Sequence, residues 1–209
     1  MAGEAEPAKS PDMAPNDMTP NGMPSRVLLF GAPGSGKGTQ AALLAERLGV
    51  PAISTGEMLR AAVAGGSALG RRVDAILAVG SLVDDATMGE VVRERLARAD
   101  ARRGFLLDGY PRTIPQAATL EEILRRHGAG LDAAVLLEVP EAELVRRLTS
   151  RGREDDREDV VRERLRVFDE KTAPLIGYYQ QRGLLRRVDG DRAVPDVADA
   201  ILDTLRRAA

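Results

Sequence analysis

The fold is decided by the stretch Val27-Leu28-Leu29-Phe30-Gly31-Ala32-Pro33-Gly34-Ser35-Gly36-Lys37-Gly38-Thr39-Gln40. An apolar strand runs into a glycine-rich turn, which opens the helical stretch Gly38–Leu48. Glycines let backbone N–H groups surround phosphate oxygens, a helix N-terminus favours anions, and Lys37 adds a positive charge. The spacing fits a phosphate-binding loop, although Gly38 separates Lys37 from Thr39, whereas the general pattern has Ser or Thr directly after the lysine. We therefore predict a phosphate site here, in preference to a merely flexible turn.

Outside this stretch, short apolar runs alternate with segments of helical pattern. The further strand candidates are Pro51–Ile53, Gly104–Leu107, Ala133–Val139 and Leu184–Val188. The helical segments are Asp84–Ala99, Ile114–Arg126, Glu141–Thr149, Arg157–Gln181 and Val194–Arg207. Strands that alternate with helices predict an α/β fold with a parallel sheet covered on both faces.

The composition excludes several kinds of chemistry. The 209 residues include no cysteine, which removes thiol catalysis, disulfides and thiolate zinc sites. The single histidine, His127, precedes Gly128 where a helix should end, so we interpret it as a cation at a helix C-terminus. A Ser-His-Asp triad or a histidine metal site is thereby disfavoured, while Mg²⁺ held by carboxylates remains possible.

The charge balance and the hydropathy indicate a cytoplasmic protein that binds neither nucleic acid nor membrane. The net charge is −2, whereas nucleic-acid-binding domains usually carry a basic excess. No apolar run approaches the roughly 18 residues of a membrane span, and no signal-peptide core is present. Only three of the 30 basic residues are lysines, namely Lys9, Lys37 and Lys171.

The first 24 residues differ from the rest of the chain. They hold five of the twelve prolines and four of the six methionines, and they lack Val, Ile, Leu and aromatic residues. Such a segment cannot bury enough apolar surface to offset its ordering entropy, so we predict a disordered tail over 1–24 and a domain over 25–209. Met18 and Met23 are alternative start sites.

In chain order, several motifs resemble those of the adenylate kinases, within the nucleoside monophosphate kinase family. The family's loop variant is Gly-x-Pro-Gly-x-Gly-Lys-Gly-Thr, which accounts for the displaced threonine. The matching segments are Gly31–Thr39, Ile53–Arg60, Gly104–Thr113 with Gln116, Thr172–Tyr179 and Val188–Gly190. The resemblance covers about residues 25–207. It implies a three-layer α/β/α fold with a five-stranded parallel sheet, a helical monophosphate-binding insertion over 54–83 and a lid.

The lid departs from that of long-lid relatives. Those relatives carry a long insertion between the arginines that match Arg151 and Arg153, whereas here only Gly152 separates the two. The resemblance therefore implies a short lid over 150–156, without a zinc site. Closure of such a loop would exclude water, so that the phosphoryl group passes to AMP and not to solvent.

The resemblance further implies Mg²⁺-dependent transfer of a phosphoryl group from ATP to AMP, giving two ADP. Catalytic contacts are implied for Lys37, Arg112, Arg147, Arg151, Arg153 and Arg164. ATP contacts are implied for Gly34, Ser35, Gly36, Lys37, Gly38, Thr39, Arg151 and Arg192, with Gly190 beside the adenine. AMP contacts are implied for Thr55, Arg60, Ser81, Leu82, Val83, Gly109, Tyr110, Pro111, Arg112, Gln116, Arg153 and Arg164. A monomer is the family's default.

Asp108 and Arg164 are candidate site residues even without reference to the family. Asp108 closes an apolar strand at its carboxyl end, where ligands bind in open α/β sheets, and could hold Mg²⁺ through water; the alternative is a turn-forming Asp. On a helical wheel Arg164 falls among Val160, Phe168 and Leu175. It either reaches an anionic ligand or lays its stem on the core with its head in water.

Some alternatives stay open at this stage. Thr55 could contact adenine, cap the helix that follows, or do both, whereas we predict that Asp84 caps the next helix. A UMP/CMP kinase also has a short lid, but tends to carry Ala where Thr55 stands. A non-catalytic phosphate-loop module would have no use for the second arginine set, Arg60 and Arg112.

Overall fold

In the computed structural model, residues 22–152 and 157–207 are described, and five of their segments form one sheet. The strands are β1 (Arg26–Phe30), β2 (Ala52–Ser54), β3 (Phe105–Asp108), β4 (Ala133–Glu138) and β5 (Leu185–Asp189). Their order is β2-β3-β1-β4-β5, and every neighbouring pair is parallel. The five-stranded parallel sheet is thereby confirmed.

The helices occupy the connections and the end of the chain. They are α1 (Lys37–Leu48), α2 (Thr55–Ala64), α3 (Ala68–Ala78), α4 (Asp85–Leu96), α5 (Ile114–Arg126), α6 (Glu141–Arg151), α7 (Glu158–Val167), α8 (Pro174–Gln181) and α9 (Val194–Arg206). A short 3-10 turn covers Ala99–Ala101, and a π-helical turn covers Phe168–Thr172 between α7 and α8.

Alternation along the central strand builds two cores. Leu28 and Phe30 pack into the core that includes residues of α4, α5 and α8, whereas Val27 and Leu29 pack into the core that includes α1 and α9. Successive strand side chains point to opposite faces, so a strand covered on both faces must be apolar throughout. All five residues of β1 are buried, and the four from Val27 to Phe30 are apolar, whereas Arg26 begins the strand. The result is the expected three-layer α/β/α arrangement.

The strand order locates the site. From β1 the chain continues to one side of the sheet and forms β2 and β3, and then crosses over to β4 on the other side. Ligands of open α/β sheets bind at the carboxyl ends of the strands where the strand order reverses. The glycine loop leaves β1 at this point, and Asp108 ends the neighbouring β3.

Several local predictions are confirmed, and others are wrong. Asp84 caps α4 by accepting from the N–H of Thr87, and His127 is the C-cap of α5. The cap of α2 is Ser54 and not Thr55, because the Ser54 hydroxyl accepts from the N–H of Glu57. Among the described residues, no helix has the length and apolarity that a bilayer crossing requires.

The long helix expected over Arg157–Gln181 is interrupted. It begins as α7 at Glu158, widens into the π turn and continues as α8. Pro174 has no backbone N–H to donate, so the regular ladder cannot pass through it, which favours a break just before it.

Two residues at the end of the predicted tail are buried in the structure. Met23 is 7% exposed and belongs to the core beside α1 and α9, and Pro24 is buried as well. A single methionine at the edge of a polar segment gave no periodic signal from which this burial could be predicted.

Candidate active site

A cleft of about 680 Å³ opens at the carboxyl ends of β1 and β3. The glycine loop and α1 form one wall, and residues of α2 and the loop after β3 form another. The third wall comes from α6, from α7 with the π turn, and from the segment after β5. The cleft therefore brings together regions that lie far apart in the sequence.

The loop over 31–36 can turn tightly around an anion because three of its residues, Gly31, Gly34 and Gly36, adopt positive φ. Gly31 has a φ of +150°, and a Cβ there would lie 2.6 Å from the Leu137 carbonyl oxygen. Gly36, the N-cap of α1, has a φ of +92° and provides no capping side chain, so N–H groups of the first turn stay available to a ligand.

Lys37 lies inside this loop. Its ammonium donates to the carbonyls of Gly31 at 2.8 Å and Ala32 at 2.9 Å, and to the Ser35 hydroxyl at 3.4 Å. These bonds turn the Lys37 side chain back along the loop and hold its positively charged ammonium beside the loop carbonyls. Its position next to the N-terminus of α1 gives two sources of positive potential at one point.

On the opposite side, Arg112 and Arg60 supply cations. Arg112 is half-buried, and its Nε donates to the Gly109 carbonyl at 2.9 Å. Burial lowers the pKa of Arg112 and the nearby Arg60 charge lowers it further, while Asp108 opposes both effects. A guanidinium in this setting gains from an anionic ligand, because the ligand compensates both the desolvation and the like charge.

Asp108 lies between the two sides. It ends β3, is 9% exposed, and accepts a long hydrogen bond from the Ser54 hydroxyl at 3.5 Å. Its Oδ2 lies 3.9 Å from where a Cβ on Gly38 would be, so it adjoins the first turn of α1. No group of three metal-ligating side chains occurs in the described ranges.

The carboxylate of Glu143 holds two arginine side chains of the third wall in place. Glu143 accepts from Arg146 and, at 2.6 Å, from Arg147; these bonds lower its pKa to about 2. Arg147 also donates to the Gly190 carbonyl at 3.1 Å and to Asp191 at 2.9 Å. The guanidinium is thereby fixed at the edge of the cleft, next to the segment after β5.

The Arg164 side chain extends from α7 past Gly80 and lines the cleft. The half-buried side chain lines the cleft, and a Cβ on Gly80 would lie 2.8 Å from its Cγ. Val160 packs against the same glycine. The stem therefore lies beside Gly80 and Val160, and a contact of the head with an anionic ligand stays a prediction.

The structure brings most of the predicted residues into this one cleft. Those that line it are Gly34, Ser35, Gly36, Lys37, Gly38, Thr39, Arg60, Leu82, Asp108, Gly109, Pro111, Arg112, Arg147, Arg164, Gly190 and Arg192. Five others are not among the lining residues: Thr55, Val83, Tyr110 and Gln116 are buried behind the surface, and Ser81 is half-buried. Arg151 is the last residue of α6. Arg153 and the rest of the predicted lid over 153–156 lie outside the described residues.

Two of the residues behind the surface have clear partners. Thr55 is 1% exposed and its hydroxyl donates to the Asp108 carbonyl at 3.3 Å. Gln116 is 2% exposed, accepts from the Arg112 N–H at 2.8 Å and donates to Asp85 at 2.8 Å. In this conformation both residues hold the loop that carries Arg112.

Other residues of the cleft were not predicted from the sequence. Glu143 and Arg146 line it, as do Phe168, Thr172 and Val194. The spacing of four between Glu143 and Arg147 indicates an ion pair on a helix and could have pointed to the first of them. Thr172 had no such signal, because its place depends on the π turn.

Comparisons with known proteins agree with this geometry. The adenylate kinase family profile matches residues 29–184. The adenylate kinase of Kocuria rhizophila is 49% identical over 187 residues, which cover 88% of this chain and 100% of the relative. That of Xylella fastidiosa (strain M12) is 49% identical over 180 residues, 84% of this chain and 96% of the relative. The adenylate kinase of Thermobifida fusca is 46% identical over 188 residues, which cover 88% of this chain and 100% of the relative. The chain belongs to the adenylate kinase family.

Proposed function

We propose that this chain transfers the terminal phosphoryl group of ATP to AMP, reversibly, to give two ADP. One observation carries the proposal. A phosphate loop and a second cationic site, Arg60 with Arg112, face each other across Asp108 in a single cleft. A protein that only binds or hydrolyses one nucleotide needs one phosphate site, whereas transfer between two nucleotides needs two.

The reaction requires positioning and charge neutralisation more than acid–base chemistry. An oxygen of the AMP phosphate attacks the γ-phosphorus of ATP and forms a new P–O bond. The bond from that phosphorus to the β–γ bridging oxygen breaks, and ADP leaves with the electron pair. The attacking oxygen of AMP already carries negative charge, so no general base is needed. This agrees with a chain whose single histidine, His127, caps α5.

Residues of the loop would hold ATP. The N–H groups of Gly34 to Thr39 and the Lys37 ammonium line the cleft and would surround the β- and γ-phosphates. Arg147 and Arg192 line the wall beside the segment after β5 and would contact the nucleotide from that side, with Arg151. Arg153, in the short lid over 150–156, is proposed to contact the acceptor side.

The acceptor would lie against α2 and the loop after β3. Arg60 and Arg112 would bind its phosphate, since a guanidinium matches an oxyanion with two parallel hydrogen bonds. Arg164 would reach the phosphoryl group in transfer. The base would contact the segment over 54–83 and the α5 side of the cleft; residues proposed for it are Thr55, Ser81, Leu82, Val83, Gly109, Tyr110, Pro111 and Gln116.

Asp108 fits a Mg²⁺ ion that enters with the nucleotide. A single buried carboxylate beside the N-terminus of α1 is suited to hold the ion's water ligands, while phosphate oxygens fill other positions. When bound, the ion would neutralise phosphate charge and orient the terminal phosphate. We further propose that the protein acts as a cytoplasmic monomer, without nucleic acid, membrane or zinc.

A coupled assay that follows ADP formation tests the proposal, with ATP, Mg²⁺ and a panel of AMP, UMP, CMP and GMP. We expect AMP to be the preferred acceptor. Preference for UMP or CMP would replace the assignment by that of a pyrimidine monophosphate kinase, for which the short lid is the favouring observation. If no acceptor received a phosphoryl group, the proposal would reduce to a protein that only binds nucleotides.

A further inference from the structure

Thr172 is a buried hydroxyl on the wall of the cleft whose partner lies sixty residues away. The residue is 6% exposed, and its Oγ1 donates to the backbone carbonyl of Arg112 at 3.0 Å. It also lines the cleft itself. Nothing in the phosphoryl transfer described above uses this residue.

The other backbone group of Arg112 is also held by a side chain. Its N–H donates to Gln116 Oε1 at 2.8 Å, and Gln116 Nε2 donates to Asp85 Oδ1 at 2.8 Å. Asp85 accepts a further bond from the Thr113 hydroxyl at 3.0 Å. The backbone of Arg112 is therefore fixed on one side by α5 and on the other by the π turn.

The π turn is what brings Thr172 to this position. In an uninterrupted α-helix, eight residues at about 100° each would place Thr172 about 80° around the axis from Arg164. A π turn takes about one extra residue, which turns the following residues back by about 100°. Thr172 and Arg164 then lie within about 20° of one face, and both line the cleft.

We propose that Thr172 is a positioning residue that joins Arg112 to α7, so that Arg112 and Arg164 approach the acceptor phosphate in a fixed relation. The inference deepens the proposed function and rests on it. The backbone of Arg112 lies in a loop between β3 and α5, and the hydrogen bond from Thr172 connects this loop to the π turn that follows α7. The bond acts on the guanidinium because its acceptor is the carbonyl of Arg112 itself.

The test separates the effect of the Thr172 hydroxyl from that of the side chain's shape. Thr172→Val keeps the shape and removes the donor, whereas Thr172→Ser keeps the donor. Thr204→Val is the matched control, because the Thr204 hydroxyl also donates to a backbone carbonyl, that of Ala200 at 2.8 Å, on α9. The measured quantities are KM for AMP, KM for ATP, kcat and the melting temperature.

We expect Thr172→Val to raise KM for AMP about tenfold while KM for ATP stays within twofold, since loss of one buried hydrogen bond to the Arg112 carbonyl disturbs the acceptor side alone. Thr172→Ser should return KM for AMP close to that of the wild type, and Thr204→Val should change neither KM. If Thr172→Val does not fold, Thr172→Ala replaces it.

Two results would overturn the inference. One is a fall in melting temperature without a change in KM for AMP, which means that the bond only stabilises the fold. The other is an equal rise in both KM values. Failure of the proposed function is distinguishable from both, because the wild-type protein would then form no ADP from ATP and AMP.

Discussion

Lys37 shows why one basic residue cannot replace another at the phosphate loop. The chain uses arginine nearly everywhere, yet the residue in the loop is a lysine whose ammonium lies within 2.9 Å of two loop carbonyls. An ammonium is a compact charge that fits among these carbonyls, whereas a planar guanidinium needs more room. The site therefore depends on the size of the cation as well as on its charge.

Lys37→Arg is expected to reduce kcat by about 10²–10³-fold, with the melting temperature nearly unchanged, because the larger guanidinium cannot occupy the place of the ammonium and its charge is displaced from the transferring phosphate. Steady-state kinetics and thermal unfolding measure the two quantities. Lys171→Arg is the control, since Lys171 is exposed. Near-normal turnover of Lys37→Arg would show that the ammonium has no special role.

Glu143 gives the protein a defined sensitivity to acid. Its bonds to Arg146 and Arg147 lower its pKa from an ordinary 4.5 to about 2. A carboxylate with a depressed pKa in the folded state contributes stability that is full above about pH 4.5 and is lost as the pH falls to about 2.

The melting temperature of the wild type should therefore fall more steeply between pH 4.5 and 2 than that of Glu143→Gln, which cannot form the ion pairs. Glu90→Gln, on an exposed position of α4, should keep the wild-type slope. Parallel curves for the wild type and Glu143→Gln would contradict the assigned pairing.

At the scale of elements, the packed strands and the glycine loop could be predicted because their signals are local. Val27–Phe30 is apolar, and Gly31–Thr39 has the spacing that a phosphate loop requires, so both follow from the neighbours in sequence. The structure extends this strand by one residue, to Arg26. Asp108 and its place at a strand end follow from the same kind of local pattern.

Other features depend on contacts that are distant in sequence. The π turn over Phe168–Thr172 leaves no trace in the hydrophobic pattern, and without it Thr172 could not be placed next to Arg112. The cap at Ser54 and the burial of Gln116 are decided by how α2 and α5 meet the end of β3, where hydrogen bonds to Asp108 and Asp85 select one arrangement.

The contact of α7 with the turn after α3 can be tested by replacing a glycine in that turn with alanine. Gly80 and Gly66 both have positive φ, +76° and +61°, so Ala should cost each about 1 kcal/mol of unfolding free energy. Only at Gly80 would the new Cβ meet Arg164, at 2.8 Å, whereas it meets nothing within 4 Å at Gly66.

Gly80→Ala should therefore lower kcat/KM by up to about 10²-fold, since the guanidinium of Arg164 is displaced, while Gly66→Ala changes stability alone. Kinetics and denaturant unfolding on both variants provide the comparison. Equal activities would mean that Arg164 does not need its present path to the cleft.

At the scale of the molecule, Met23 and Pro24 are buried although the sequence predicts them to lie in the tail, so we propose that the folded unit includes them. Met23→Ala should lower the unfolding free energy by about 2 kcal/mol, because a side chain 7% exposed leaves the core beside α1 and α9. Removal of residues 1–21 should leave both stability and activity nearly unchanged, in line with their composition. A large loss of stability on that truncation would contradict the proposed boundary.

The central claim is that one cleft holds two nucleotides and passes a phosphoryl group between them. ³¹P NMR of the purified protein with Mg²⁺ tests this directly, with ATP and AMP in one sample and ADP alone in another. We predict that each ATP and AMP consumed yields two ADP, that ADP alone yields ATP and AMP, and that both samples reach the same composition. Release of inorganic phosphate without consumption of AMP would contradict the claim.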